Sequence, residues 1–332
     1  MTSQFTANQL TINFCEEIPI IRLPYRLTVL ESVAFKENFQ QFLQRQSVPP
    51  QIILDFRITD FLDSSGLGLL VNTYKAAREK KIELIFQNVR PPVMGVLAMT
   101  GLDQVFQIQS QVTTPTENNH QHNDQKLPLT HPSINSRLKR LIDISGALVG
   151  LIITGFLFIP IAVAIKINSP GAIFFGQTRC GWMGKKFTIW KFRSMCTDAE
   201  KLKSTIKNEA SGAIFKNKND PRVTEVGRFL RRTSLDELPQ FWNVLKGEMS
   251  LVGTRPPTPN EVATYDVPEW QRLDVKPGMT GEWQVNGRST VKDFEDVIKL
   301  DLRYQNNWSL LYDLKLIFKT IAVVFNKESG AY

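Results

Sequence analysis

Residues 144–165 form an uninterrupted run of twenty-two uncharged, mostly apolar residues. Such a run has few soluble destinations, because a helix of about 20 apolar residues matches the hydrocarbon core of a bilayer. Two details argue against a straight crossing. Pro160 lies inside the run and removes a helical hydrogen bond. Arg137, Lys139 and Arg140 precede the run and Lys166 follows it at once, so the placement of basic charge favours neither orientation. The expectation is a re-entrant segment over residues 142–166 that enters one leaflet, turns at Pro160 and leaves on the same face. A hairpin buried in a soluble core is the alternative. The run is internal and late in the chain, so it is not read as a signal peptide.

With 332 residues there is room for two domains, and the charge is divided between them unevenly. Residues 1–115 hold 10 Lys+Arg and 10 Asp+Glu, whereas residues 137–332 hold 29 and 20. A basic second part suits a membrane face or phosphorylated substrates, and no nucleic-acid-binding motif accompanies it. Cys15, Cys180 and Cys196 form no C-x-x-C pair, which fits a reducing compartment without structural disulfides or zinc. The three histidines, His120, His122 and His131, all fall in a polar Thr/Asn/Gln/His/Pro stretch, residues 113–136, that reads as a linker. No histidine is left for a Ser–His–Asp triad or a general base, so carboxylates must carry any chemistry.

Residues 1–112 alternate strand and helix patterns. Segments 18–23, 51–56, 83–87 and 105–108 read as strands, while Phe35, Phe39, Phe42 and Leu43 share one helical face, as do Leu67, Leu70, Val71 and Tyr74. The second of these helices opens on Asp63, Ser64, Ser65, Gly66, Leu67 and Gly68. Asp63 or Ser64 can serve there simply as an N-cap. This signature after the apolar strand resembles the STAS domains of anti-sigma factor antagonists. The resemblance implies an α/β fold and makes Ser65 the phosphorylation site of a cytosolic kinase; a phosphate at a helix N-terminus is well accommodated and alters partner affinity.

The densest chemistry lies in Arg231, Arg232, Thr233, Ser234, Leu235, Asp236, Glu237, Leu238 and Pro239. Leu235, Leu238, Trp242 and Leu245 recur at helical spacing, and Pro239 is tolerated only near a first turn, so a helix is expected to begin around Ser234 to Asp236. Read locally, Ser234 to Glu237 is also a capping box. Asn243 to Pro256 follow, including Gly253, Thr254, Arg255 and Pro256, and then Lys276 to Arg288 with Gln284, Asn286 and Arg288. A strand with a basic edge is expected over 186–193. Near the C-terminus Leu310, Leu314, Ile317, Ile321 and Val324 make an apolar helical stripe, suited to a core or a membrane surface.

The ordered motifs of residues 137–332 resemble the bacterial sugar transferases that move a sugar 1-phosphate from a nucleotide diphosphate sugar to a polyprenyl phosphate. The resemblance implies a mostly α (α+β) monotopic membrane domain with a re-entrant helix. It makes Asp236 the nucleophile that expels UMP and Glu237 the ligand of Mg2+, a hard cation suited to carboxylate oxygen. Arg231 and Arg255 become phosphate-binding groups, with Gln284, Asn286, Arg288 and Asp301 as further substrate-binding positions. Thr254 stands where the family commonly has proline, and Glu282 with Trp283 replaces the Trp-Ala pair of some members. The implied partners are a UDP-sugar, polyprenyl (undecaprenyl) phosphate and the lipid bilayer, with both domains facing the cytoplasm at the bacterial inner membrane. The product would start an exopolysaccharide, capsule or O-antigen. Two other readings compete: a membrane-anchored STAS regulator whose transferase half is inactive, and a soluble metal-dependent nucleotide hydrolase.

Overall fold

The computed structural model describes residues 11–15, 18–44, 49–109, 130–202, 205–206, 208–209, 217, 219–286 and 294–325. Arg288, His120 and His122 lie outside the described residues. The chain divides into two compact units. The first comprises residues 1–130 with two short segments, 183–185 and 265–274; the second comprises 131–182, 186–264 and 275–332.

In the first unit a five-stranded sheet places β1 (Thr11–Cys15), β2 (Ile18–Arg22), β3 (Gln51–Asp55), β4 (Glu83–Gln87) and β5 (Gln107–Gln109) side by side in chain order. β1 and β2 pair antiparallel and every later pairing is parallel. Parallel neighbours need crossovers, which here include α1 (Val29–Leu43), α2 (Ser64–Glu79) and α3 (Pro91–Thr100). α1 buries Phe35, Phe39, Phe42 and Leu43, the face its sequence announces. Ile52 and Leu54 of β3 are fully buried, as central strands covered by helices require. This is the α/β fold expected of a STAS domain. β1 and α3 have no counterpart in the sequence expectations.

The start of α2 is held by carboxylates. Asp63 is its N-cap and accepts from the Gly66 N–H at 2.8 Å, while Asp274 Oδ1 accepts from the Ser64 N–H at 3.0 Å. Burial, and for Asp63 the nearby charge of Asp274, push their pKa values up to about 7 and about 6 respectively. A carboxyl whose folded pKa lies above its unfolded value contributes stability below the unfolded value and loses it as pH rises through the folded one. The melting temperature of the first unit in the full-length protein should therefore fall as pH rises from about 4 to about 7. Asp63→Asn keeps the cap and should flatten that fall; an unchanged pH profile in this variant would contradict the assignment.

The second unit is built around α4 (Arg137–Asn168), a single helix of 32 residues. Its N-terminal half presents Ala147 to a core of Phe187, Ile189, Val244 and Met249. Its C-terminal half presents Ile161 and Ile165 to Phe192 and Leu230. The backbone stays helical through Pro160, so the turn expected there is not made by ending the helix. Packing of Leu157, Phe158 and Ile161 against the Phe192–Leu230 core holds the chain on either side of the missing hydrogen bond. The opposite face is bare: Ile152, Phe156, Ile159, Val163 and Ile167 are exposed, and only 22% of the most apolar window is buried. The buried-hairpin alternative does not describe such a helix.

Around α4 lie an antiparallel hairpin, β6 (Phe174–Cys180) with β7 (Lys186–Phe192), and then α5 (Glu225–Arg232) and α6 (Gln240–Lys246). A parallel pair follows, β8 (Ser250–Val252) with β9 (Gly278–Thr280), and the unit closes with α7 (Phe294–Asn306) and α8 (Leu310–Phe325). β7 is the basic-edged strand expected from sequence, with Phe187, Ile189 and Phe192 turned inward. Of the two settings open to the stripe on α8, a core or a membrane surface, the exposure of Leu314 and Ile321 fits the second. Asp313 and Leu316 are the buried residues, whereas Leu311, Leu314, Phe318 and Ile321 are exposed. Asp313 sets this rotation by accepting from Lys139 at 2.6 Å and from Tyr304 at 2.8 Å inside the protein. His131, placed in the linker by composition, is tied into this unit through Ser133 Oγ at 2.8 Å and the Gln305 carbonyl at 3.1 Å.

Candidate active site

The acidic pair sits between helices rather than at a helix start. Thr224 caps α5 by accepting from the Gly227 N–H at 3.0 Å, and Gly227 is required because any Cβ there would collide with the Ser194 carbonyl. That close approach lets Arg231, in the last turn of α5, donate through Nε to Ser194 Oγ at 2.9 Å. Ser234 then adopts φ +58°, and Leu235–Glu237 form a 3-10 turn before α6 begins beyond Pro239. Ser234 makes no capping bond through its side chain, so neither the capping box nor the helix start expected there exists. The left-handed residue breaks the helix, and Pro239, lacking an N–H, restarts it five residues later.

This turn is rigidly seated. Leu235 and Leu238 pack into the same core as Ile161 and Ile165 of α4, which sets the two carboxylates beside the apolar helix. Asp236 is 6% exposed. Lys191 of β7 donates to Glu237 Oε1 at 2.7 Å. Burial lowers the Arg231 pKa, and the charges of Asp236 and Asp220 oppose that most, with Glu237 acting in the same sense. Arg222 grips Asp220 with Nε at 2.9 Å and Nη2 at 2.7 Å, closing the cluster on that side. One turn thus carries two carboxylates ringed by guanidinium and ammonium groups.

A second group forms where β8 and β9 end. Gly253 lets the two backbones touch, and Thr254 bridges to Pro277 in the place the family gives to proline. Arg255 donates to Glu261 at 2.7 and 3.3 Å and stacks 5.9 Å from the Trp283 ring. Asp301 is 1% exposed and accepts from the Arg255 N–H at 3.4 Å. Arg179 joins this group to the first. It donates to the Pro256 carbonyl at 2.8 Å, and its pKa is pushed down to about 10 by burial and by Arg255, against the pull of Glu261 and Glu237.

Arg231, Asp236 and Glu237 are therefore brought together as the sequence predicts, with Arg255 and Asp301 adjoining through Arg179. Gln284 donates to the Met279 carbonyl at 2.6 Å, and its buried Oε1 has no hydrogen-bond partner among the described residues. Asn286 is occupied elsewhere, between Glu282 and Lys319, and the Glu282 that departs from the family pattern is also matched by Tyr312. Ser65, in the first unit, is fully buried and its hydroxyl lacks a hydrogen-bond partner among the described residues. Sequence reasoning missed Arg179, Lys191, Ser194, Arg222 and Asp220; only Lys191 left a trace, in the basic edge of its strand.

Residues 134–327 match the family described as Bacterial sugar transferase, and residues 9–115 match the STAS domain. The Galactosyl transferase CpsE of Streptococcus agalactiae serotype III (strain NEM316) is 48% identical over 188 residues, covering 56% of this chain and 42% of that protein. The UDP-glucose:undecaprenyl-phosphate glucose-1-phosphate transferase of Escherichia coli (strain K12) is 43% identical over 195 residues, or 57% of this chain and 40% of that one. The Exopolysaccharide production protein ExoY of Rhizobium meliloti (strain 1021) is 39% identical over 197 residues, 58% of this chain and 87% of that protein. The match thus spans less than half the length of the first two and most of the third. The profile match takes in well over half of the sequence, and the chain belongs to the bacterial sugar transferase family, with a STAS domain preceding the transferase region.

Proposed function

We propose that this chain transfers a sugar 1-phosphate from a UDP-sugar to a polyprenyl phosphate, as the first step of a bacterial surface polysaccharide. The carrying observation is the placement of Asp236 and Glu237 on a turn whose leucines pack on the bare apolar helix α4. A soluble nucleotide sugar and a lipid-borne phosphate have to meet at such a boundary.

In the first step an Asp236 carboxylate oxygen attacks the sugar-bearing phosphorus. The diphosphate P–O bond breaks, UMP leaves with its electron pair, and an acyl phosphate carrying the sugar remains on Asp236. In the second step the polyprenyl phosphate oxygen attacks the same phosphorus, the Asp236 oxygen leaves, and the carboxylate is regenerated. Arg231 and Arg255 hold phosphate oxygens, and Lys191 fixes Glu237. Glu237 offers hard carboxylate oxygens of the kind Mg2+ takes alongside substrate phosphates, and the ion would neutralise charge on the diphosphate. The names of the relatives point to UDP-galactose or UDP-glucose as first donors to test. Purified protein given polyprenyl phosphate, Mg2+ and a panel of UDP-sugars should release UMP with at least one of them; no release across the panel would sink the reading.

Monotopic insertion with both domains in the cytoplasm completes the proposal. Lys139 near one end of α4 bonds to the Val252 carbonyl and Asp313, and Ile165 near the other packs on Phe192 and Leu230, all within one unit. A helix crossing the bilayer could not keep both ends on one soluble body. Cysteine tags near residues 2 and 330 should both be labelled only after the membrane is permeabilised. Tags reactive from opposite faces would contradict this topology. The STAS domain then stands where a cytosolic kinase can reach it, and modification of the buried Ser65 requires the start of α2 to open first.

A further inference from the structure

A cavity of about 240 Å³ opens beside the first turns of α4, lined by Ser136, Lys139, Arg140, Asp143, Lys276 and Tyr304 among others. It shares no residue with the Arg231–Asp236–Glu237 cluster or with the Arg255 group. Three cations face it against a single carboxylate. Lys139 is fully answered by Asp313 Oδ2 at 2.6 Å, the Val252 carbonyl at 3.0 Å and Tyr304. The other two cations form no ion pair among the described residues, and Asp143 is the lining carboxylate whose charge pulls on Lys276 against those of Arg140 and Lys139. Arg140 spends Nη1 and Nη2 on the Val244 and Leu245 carbonyls at 2.7 and 2.6 Å, at the C-terminal end of α6, and forms no ion pair among the described residues. Lys276 has neither a hydrogen bond nor an ion pair among the described residues, and burial, followed by the Arg140 charge, lowers its pKa.

These two heads converge. A methyl group at Gly247 would stand 3.5 Å from Arg140 Nη2 and 3.6 Å from Lys276 Nζ. Asp143, the lining carboxylate, already accepts through Oδ1 from Ser250 Oγ and the Leu251 N–H, each at 2.9 Å. A part-buried ammonium beside a guanidinium, with one already engaged carboxylate set against three cations, is unfavourable, and an incoming anion offsets that cost. The donors are guanidinium, ammonium and hydroxyl, the set that holds phosphate oxygens. Arg140 also lies four residues before the apolar run of residues 144–165, at headgroup depth once that run enters a bilayer.

We propose that this cavity is a phosphate-binding site, separate from the acidic pair, in which Lys276 and Arg140 receive a phosphate group. The group comes either from a lipid headgroup or from a soluble phosphate, and the two sources can be told apart. Full-length protein would be treated with an amine-reactive reagent, and acylation of Lys276 read by mass spectrometry. Inorganic phosphate, compared with chloride at equal ionic strength, and phosphatidylglycerol vesicles, compared with phosphatidylcholine vesicles, are the two probes. An occupied site should slow acylation of Lys276 about tenfold at ten times the dissociation constant, while Lys246, outside the cavity and paired with Glu248, reacts unchanged. Protection by phosphatidylglycerol alone identifies a headgroup, protection by phosphate alone a soluble anion, and protection by both a site open to either. Absence of protection by both probes, or equal protection of Lys246, would overturn the proposal. As a second readout, whichever probe protects Lys276 should raise the melting temperature of the wild type and not that of Lys276→Gln; an equal rise in both would also count against it.

Discussion

Asp236→Asn is expected to abolish sugar-phosphate transfer, by on the order of 10⁴-fold or more, with the fold retained. The amide has the size of the carboxylate but no nucleophilic oxygen anion, so the first displacement has nothing to attack with. The fold should survive because the neighbouring Arg231 keeps Asp220 and Glu237 as charge partners and Ser194 as a hydrogen-bond acceptor. UMP release, with melting temperature measured on the same preparation, checks both halves of this expectation. Release near the wild-type rate from a folded Asp236→Asn protein would remove this residue from the chemistry.

Glu237→Gln is expected to have the next largest effect, about 10²–10³-fold on turnover. The substitution removes a hard anionic ligand and also the partner of Lys191, which lies 2.7 Å from Glu237 Oε1. Titrating Mg2+ separates the two losses. A missing metal ligand shifts the Mg2+ dependence to higher concentration, whereas a merely displaced lysine leaves it in place. If the wild type remains active in excess chelator, the metal role of Glu237 fails.

Much of this arrangement was legible in the sequence, for reasons that differ by element. The strands around Ile53 and Ile85 and the phenylalanine face of α1 announce themselves because burial on one unit repeats at strand or helix spacing. The order of Arg231, Asp236, Glu237 and Arg255, to which the proposed chemistry is assigned, is legible because those residues lie on short stretches of chain. What local pattern misplaces is the backbone beneath them. Ser234 has the composition of an N-cap and the conformation of a helix breaker, and φ +58° cannot be read from a serine. Long-range pairing hides the rest: Arg179 and Lys191 arrive from a hairpin, and Arg222 and Asp220 from the loop before α5. The buried Lys139–Asp313 pair is hidden in another way, since a charge turned inward leaves the apolar stripe of α8 facing outward. α3 opens on Pro91 and Pro92, where composition favours a turn while proline at the first helical positions permits a helix.

The central claim is that phosphoryl transfer passes through Asp236 in two displacements, and isotope exchange tests it without the lipid acceptor. Enzyme, Mg2+, an accepted UDP-sugar and labelled UMP should return label into the UDP-sugar, because reversal of the first step needs only these components. Asp236→Asn should show no exchange. If the wild type transfers sugar phosphate to polyprenyl phosphate yet exchanges no UMP until that acceptor is added, a single direct displacement operates and the aspartyl intermediate is wrong.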